Sequence, residues 1–320
     1  MWLGFALFSA LFLGFYDVAK KQSLKDNAVI PVLWLHTLFC SLFMLPFTLL
    51  SARTGVLDGS MFYVPSAGWE LHKLIFLKAA IVLGSWVFGY FGMKHLPITL
   101  FGPINATRPI IVLLGGLLLF GERLNVYQWI GVLIAIFSFY LLSVSGKKEG
   151  INFVHNKWVF CVIMATLLGA VSALFDKYLL GRFNNMFVQS WSNFYQLLLM
   201  TVILFALWWP TRKNTTPFQW KWSIILISVF LTLADYAYFY SLTSGRSMIS
   251  IVSMIRRSSV IVSFLCGALL FKEKNLRSKA VDLVLVLIGL VIIANLFSVL
   301  SKYVSFGINS PAEDIFSITG

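Results

Sequence analysis

The chain has 320 residues, of which 59% are hydrophobic and 12% are charged, and its formal net charge is +13. Soluble globular chains carry about 25% charged residues, and a chain of this size has too little interior to bury so much apolar surface. The composition excludes a soluble fold and predicts an all-α, multi-pass membrane protein. The positive charge then serves topology and contacts with membrane lipids, and no nucleic-acid partner is expected.

Ten apolar runs approach or exceed the roughly 20 residues that cross a bilayer. They lie at 1–17, 29–51, 72–93, 97–120, 125–145, 157–179, 187–209, 219–243, 247–271 and 276–300. The connection 146–156 is one of only two long ones, and it separates two sets of five runs. We therefore predict a first five-helix repeat at 1–145, a linker at 146–156, a second repeat at 157–300 and a tail at 301–320.

A short motif shows that the two halves are related. Gly116-Leu-Leu-Leu-Phe-Gly-Glu122 recurs 151 positions later as Gly267-Ala-Leu-Leu-Phe-Lys-Glu273, with five of seven residues identical. Because each half has an odd number of spans, the second half must enter the membrane from the opposite side. This parity predicts an inverted repeat around a central cavity, an architecture that supports alternating access in secondary transporters.

The loops predict an orientation. Loops after odd-numbered spans hold more lysine and arginine, including Lys20, Lys21, Lys25 and Lys94, than loops after even-numbered spans. The richer side is expected to be cytoplasmic, which puts both termini outside. The expected location is the plasma membrane, which in a bacterium is the inner membrane.

Charged residues inside apolar runs mark the candidate site. Arg108 lies midway through the fourth span, and Arg256 and Arg257 lie near the middle of the ninth. A guanidinium at mid-bilayer costs about 3 kcal/mol or more, so it faces a cavity or a partner. The available counter-charges are Asp235 and the pair Asp176-Lys177. Two interpretations stay open: a structural network of ion pairs, or arginines that bind an anionic substrate group.

Aromatic and amide side chains could line the same cavity. Those within or at the ends of spans are Trp86, Tyr90, Asn105, Asn193, Gln196, Tyr236 and Tyr240. The alternatives are an interfacial aromatic belt for the Trp and Tyr residues and helix–helix hydrogen bonds for the amides. A proton-coupled mechanism would have to use Asp17, Asp176, Asp235 or His36, although a structural hydrogen bond is the competing role of His36.

The fourth and fifth spans carry a family resemblance. The segment from Gly102 to Leu124, with Pro109 and a Gly-Glu-Arg turn, followed by Gln128-Trp-Ile-Gly131, resembles the EamA-type domain of the drug/metabolite transporter superfamily. The second copy resembles it more loosely, because no proline matches Pro109 and Asp282 stands where Gly131 does. The resemblance implies a ten-helix carrier that moves small metabolites through a central cavity.

A second, local resemblance concerns the paired arginines. Arg256-Arg-Ser-Ser-Val-Ile-Val-Ser263 is similar to a segment of the plastid triose-phosphate translocators, a branch of the same superfamily. That similarity implies that Arg256 and Arg257 hold a substrate phosphate. The present sequence has Arg where that branch has Lys, and its spacing to Lys272 differs by three residues.

These patterns favour a secondary transporter or permease for a small polar metabolite, with an anion such as an amino acid, organic acid or sugar phosphate preferred. The alternative is a lipid-linked anion flippase or another intramembrane lipid-handling protein. No phosphate-binding loop, zinc-protease motif or nucleophile elbow occurs, so neither an enzyme nor a cofactor or metal site is predicted. The expected partners are a small-molecule substrate and membrane lipids, and the expected assembly is a monomer or homodimer.

Overall fold

The fold comes from a computed structural model. It describes residues 2–120, 129–130, 133–134, 136–137, 141, 151, 155–180, 182–243, 255–271, 273, 276–277, 279–285, 287–289 and 292. Most of the expected fifth helix and linker, and the whole of the expected tail, lie outside these residues. Within them the secondary structure is helical, with no strand.

The helices follow the apolar runs closely. They are α1 (Trp2–Leu24), α2 (Val29–Arg53), α3 (Trp69–His95), α4 (Ile98–Ala106), α5 (Arg108–Phe120), α6 (Lys157–Leu180), α7 (Asn185–Ile203), α8 (Ser223–Thr243) and α9 (Ser259–Leu270). A π-helical turn, Leu204–Trp208, extends α7 to Thr211. Asn184 is the N-cap of helix α7, and its side-chain oxygen accepts hydrogen bonds from the backbone N–H groups of Met186 and Phe187.

Five helices of the described part of the chain are long and apolar enough to cross a membrane. They are α2, α3, α6, the extended α7 up to Thr211, and α8 through Ser241. Their length and composition agree with the expected multi-pass membrane protein.

Helix α1 is longer than the first predicted span. It continues to Leu24 and carries a buried Lys20. Lys21 is also helical, and its ammonium group donates to the carbonyl oxygens of Met93, at 2.8 Å, and Leu96. The assignment of Lys20 and Lys21 to a loop was therefore wrong. The predicted span ends at Asp17 because two more charged side chains, Lys20 and Lys21, follow within the same helix and lower its mean hydropathy.

The fourth predicted span is two helices, α4 and α5, separated at Thr107. Pro109 contributes to this break because it has no N–H to offer the carbonyl of Asn105. The Thr107 hydroxyl also donates to the carbonyl of Ile104 at 2.7 Å, a bond that bends helices.

The second half has a break at the matching position. Ser258 interrupts the helix before α9, and its hydroxyl donates to the carbonyl of Ile255 at 2.6 Å. Ser258 and Ile255 lie 151 residues after Thr107 and Ile104, the same offset as the repeated motif. The two halves therefore share a local backbone feature as well as a sequence motif.

Helix packing follows the same correspondence. Helix α1 packs antiparallel to α8, with Ser9 bonded to the carbonyl of Ala234 and Ser23 to Ser223. Helix α3 packs antiparallel to α6, where Ser85 bonds the carbonyl of Ala165 and Phe91 stacks on Trp158. In the repeat, α6 is the equivalent of α1 and α8 is the equivalent of α3. The α1–α8 contact and the α6–α3 contact are therefore the same contact made by the two halves.

The remaining helix contacts follow the same equivalence. Helix α2 packs on its own equivalent, α7, and the contact of α2 with α8 is equivalent to that of α7 with α3. The contact of α1 with α9 is equivalent to that of α6 with α4 and α5. Within the described residues, the largest apolar cluster is shared among α1, α2, α3, α4, α6, α7 and α8. The matched helices therefore surround a common centre, where the candidate site lies.

Candidate functional site

A cavity of about 160 Å³ lies between the two halves. Its walls come from α1, α3, the α4–α5 break, α6, α7, α8 and the turn that precedes α9. Eight described charged side chains line it: Asp17, Lys20, Lys78, Arg108, Asp176, Asp235, Arg256 and Arg257.

Two of these charges form an ion pair within α1. Lys20 lies 2.8 Å from a carboxylate oxygen of Asp17, and both side chains are less than 10% exposed. The Lys20 ammonium also lies over the rings of Tyr16, at 4.4 Å, and Phe101, at 5.0 Å. The hydroxyl of Ser263 approaches the second Asp17 oxygen at 3.5 Å. Asp17 is therefore neutralised locally and contacts both halves of the protein.

A second pair links the halves across the α3–α6 contact. The ammonium of Lys78 lies 2.8 Å from a carboxylate oxygen of Asp176, and both side chains are largely buried. The contact is an ion pair rather than a well-aligned hydrogen bond. Asp176 was predicted to be a counter-charge for an arginine, but its described partner is a lysine. The side chain of Lys177 lies outside the described residues.

The third pair joins Arg256 to Asp235 on α8 through a hydrogen bond from the guanidinium to the carboxylate. The guanidinium also stacks over the ring of Tyr238, with 4.3 Å from its carbon to the ring centroid. This pair agrees with the structural interpretation of one arginine of the Arg256-Arg257 pair.

Arg108 and Arg257 have no carboxylate within ion-pair distance in the described part of the chain. Arg108 donates to the side-chain oxygen of Asn105 at 2.9 Å, while its Nε is buried without an acceptor among the described residues. Arg257 lines the cavity beside Arg256. Desolvated guanidinium groups without counter-charges are costly, so their common cavity is a candidate anion site.

Helix α6 makes room for Arg108 by means of a glycine. A Cβ atom at Gly169 would collide with the Arg108 guanidinium. The sequence carried no signal for this role, because the Gly169–Arg108 contact joins two segments 61 positions apart.

Polar and aromatic side chains form the rest of the wall. Trp86 and Tyr90 come from α3, and Asn193 and Gln196 come from α7. Gln196 is buried, and its side-chain oxygen has no described donor. These four residues were predicted to line the cavity together, and the fold brings them to it.

His36 lies behind this wall. It shares a hydrogen bond with the hydroxyl of Tyr90 and stacks on Trp86 at 4.9 Å between ring centroids. Its ring is fully buried and does not line the cavity. The geometry is that of a positioning residue for two cavity aromatics.

Tyr236 and Tyr240 face a neighbouring cavity of about 270 Å³. The two cavities share Gln189 and Phe239 in their walls. The i, i+4 spacing predicts that the two tyrosines share one helix face, and the structure places both in the wall of this neighbouring cavity rather than in the wall of the central one. The direction of that face is set by packing of α8, where Tyr236 stacks on Phe62 at 5.3 Å.

Glu273, at the end of the repeated motif, binds the start of α4. Its carboxylate accepts hydrogen bonds from the backbone N–H groups of Ile98, at 2.7 Å, and Thr99, at 3.0 Å, and from the Thr99 hydroxyl. The carboxylate therefore caps a helix of the other half, while Glu122 lies outside the described residues.

Sequence reasoning missed Lys20 and Lys78. Lys78 sits inside the third apolar run, so the argument used for the arginines also applied to it. Lys20 was hidden because the first span was ended too early.

The comparisons with known proteins agree with this architecture. A family model described as "EamA-like transporter family" matches residues 1–144 and 156–295. A solved structure titled only "Crystal structure of protein" is 14% identical, with 92% of this chain and 97% of that chain covered and a TM-score of 0.63. No curated protein matches.

The chain belongs to the EamA-like transporter family, because the match covers both halves and most of the length. The predicted membership of the drug/metabolite transporter superfamily is thereby confirmed. The protein is an integral, multi-pass membrane transporter. The solved structure supports the overall fold independently of sequence similarity.

Proposed function

We propose that this chain is a secondary transporter of a small polar, anionic metabolite, and that the substrate binds in the cavity lined by Arg108 and Arg257. The observation that carries this proposal is the pair of guanidinium groups without described carboxylate partners, inside a cavity between the two halves. Arginine forks match carboxylate and phosphate groups.

We further propose that five spans in each half form an inverted repeat that alternates access to this cavity. The antiparallel pairs α1–α8 and α3–α6 are equivalent contacts, because each joins the first span of one half to the third span of the other. The ends of α1 and α3 meet through Lys21, so these two helices run in the same direction and α6 runs opposite to α1. Related halves of opposite direction supply two conformations of similar energy.

The direct test is flux through proteoliposomes. Purified protein would be reconstituted with a panel of internal organic acids, phosphorylated metabolites, amino acids and sugars, and uptake of each labelled compound measured. We expect saturable uptake of an anion by the wild-type protein. Arg257→Ala should reduce it at least tenfold, because the loss of one charge-assisted contact costs about 1.5–3 kcal/mol.

Arg182→Ala is the matched control. Arg182 is exposed and donates to Tyr178 on the outside of α6, so its loss should leave flux unchanged. Saturable flux of neutral compounds that survives Arg257→Ala would make the arginines structural. Absence of flux for every water-soluble compound, with the protein folded, would contradict the transport proposal and favour lipid handling.

A further inference from the structure

We infer that the substrate is a dianion, a dicarboxylate or a phosphate monoester, and that the cavity selects it by charge. This inference rests on the proposed transport function and specifies the substrate of the same cavity. It depends on how the eight described charges are paired.

The cavity has a net charge of +2 among its described residues. Five cations line it, Lys20, Lys78, Arg108, Arg256 and Arg257, against three carboxylates, Asp17, Asp176 and Asp235. Each carboxylate is engaged by a different cation: Lys20, Lys78 and Arg256 respectively. Arg108 and Arg257 therefore account for the excess of two.

The pairing leaves no spare acid for the last two arginines. The three pairs come from different helices, since Asp17 lies on α1, Asp176 on α6 and Asp235 on α8. A carboxylate that bridged its present cation and Arg108 or Arg257 would still supply only one negative charge for the two cations. A buried charge without a partner costs several kcal/mol, so rearrangement within the cavity does not remove the excess.

The two excess cations belong to different halves. Arg108 begins α5 immediately after the Thr107 break, and Arg257 immediately precedes the matching break at Ser258. A ligand that contacts both therefore joins the two repeats at their breaks. One negative charge would leave a desolvated cation behind, whereas two charges make the occupied cavity neutral.

The remaining wall suits the uncharged part of such a ligand. Gln196 and Ser192 are buried, line the cavity and have side-chain oxygens without described partners. Hydroxyl or amide groups on the ligand would supply hydrogen bonds to these atoms. The site therefore combines charge selection with polar recognition.

Matched analogues separate charge from size. Competition with the labelled substrate would be measured in proteoliposomes at pH 8 for two pairs: succinate against succinamate, and a phosphate monoester against its methyl diester. Each pair differs by one negative charge at nearly constant shape. We expect at least one dianion to compete tenfold or more better than its monoanionic partner, equivalent to about 1.4 kcal/mol. The better pair identifies the dicarboxylate or the phosphate class.

Variants test the charge count itself. Arg108→Gln lowers the net charge to +1, so the monoanion should compete as well as or better than the dianion. Arg108→Lys keeps the charge and should retain the preference for the dianion. Arg257→Gln removes the other excess cation and should change the preference between dianion and monoanion in the same way. Size-exclusion profiles and thermal unfolding in detergent would establish that each variant is folded.

The outcomes separate this inference from the function on which it rests. Saturable transport with equal or better competition by both monoanions would overturn the dianion and leave the transporter. Retention of the wild-type charge preference in folded Arg108→Gln and Arg257→Gln would also overturn it. Failure of every anion to be transported would remove both proposals.

Discussion

The position of Arg108 depends on one missing side chain. Its guanidinium occupies the space where a Cβ atom at Gly169 would lie, and its terminal nitrogen binds the oxygen of Asn105. The Arg108 guanidinium therefore packs directly against the backbone of α6, and its hydrogen bond to Asn105 fixes its orientation. A cation held in this way needs no carboxylate to keep its place.

Gly169→Ala should impair transport without unfolding the protein. The added methyl group displaces the guanidinium, so we expect at least a tenfold loss in the apparent affinity for the anion, measured as KM of uptake. Gly84→Ala is the control, because a Cβ there would meet only the tip of Leu168 at 3.5 Å. Unchanged KM in folded Gly169→Ala would show that Arg108 does not bind the substrate.

For individual residues, the sequence predicted which charged residues belong to the site better than it predicted which cavity a side chain faces. Arg108, Arg256 and Asp235 stood out because charged residues in apolar helices require partners or a cavity. Tyr236 and Tyr240 were also recognisable as a pair, but the cavity they face follows from the packing of α8. Which of two adjacent arginines has a carboxylate depends on a contact 21 residues away, with Asp235, and local spacing does not fix that contact.

Helix α4 has its N-terminal cap from the opposite half of the chain. Pro97, the residue before the helix, has no side-chain acceptor, and the carboxylate of Glu273 binds the first two backbone N–H groups instead. A negative charge at a helix N-terminus is also favourable for the helix dipole. The glutamate of the repeated motif is thus an inter-repeat contact.

Glu273→Ala should lower stability. It leaves two backbone N–H groups without their charged acceptor, and we expect a loss of about 2 kcal/mol in the free energy of unfolding. Thermal unfolding in detergent would measure the change. Glu70→Ala is the control, because Glu70 forms only an exposed pair with Lys73 and such pairs contribute little. Equal melting temperatures for the two variants would contradict the capping role.

The helices themselves were predictable, and their interruptions were only partly so. Apolar runs gave α2, α3, α6 and α8 to within a few residues, because length and hydropathy suffice for a span. The break at Ser258 had no proline to announce it. A serine that bonds the carbonyl three residues back is common inside continuous helices, so the residue type alone does not predict the interruption.

At the scale of the whole molecule, the helix contacts of the first repeat have equivalents in the second. The shared breaks at Thr107 and Ser258 and the exchanging pairs α1–α8 and α3–α6 follow one internal correspondence. The duplication was readable from seven residues of motif. The pairing of helices across the halves was not, because it joins segments more than 150 positions apart in the case of α1 and α8.

The proposed inversion of the two repeats makes a topological prediction. Asp58 lies in the loop after the second span, and Lys213 lies in the equivalent loop after the seventh. In a background without Cys40, Cys161 and Cys266, a cysteine at position 58 should react with an impermeant thiol reagent from outside. A cysteine at position 213 should react only after the membrane is permeabilised.

Both positions are exposed, so labelling reports sidedness rather than burial. The extent of labelling would be read by mass shift in intact and permeabilised cells. Reaction of both cysteines from the same side would contradict the inversion. Reaction of position 213 alone from outside would keep the inversion and reverse the predicted orientation of the termini.

The two matching breaks differ in stiffness. At the first, Pro109 can never restore the missing bond to the carbonyl of Asn105, so the bend is permanent. At the second, Val260 occupies the place of that proline and retains an N–H, so the helix can straighten by re-forming its backbone bond to Arg256. We therefore expect the first break to stay fixed and the second to be adjustable, so that a conformational change would alter helix direction more readily in the second half.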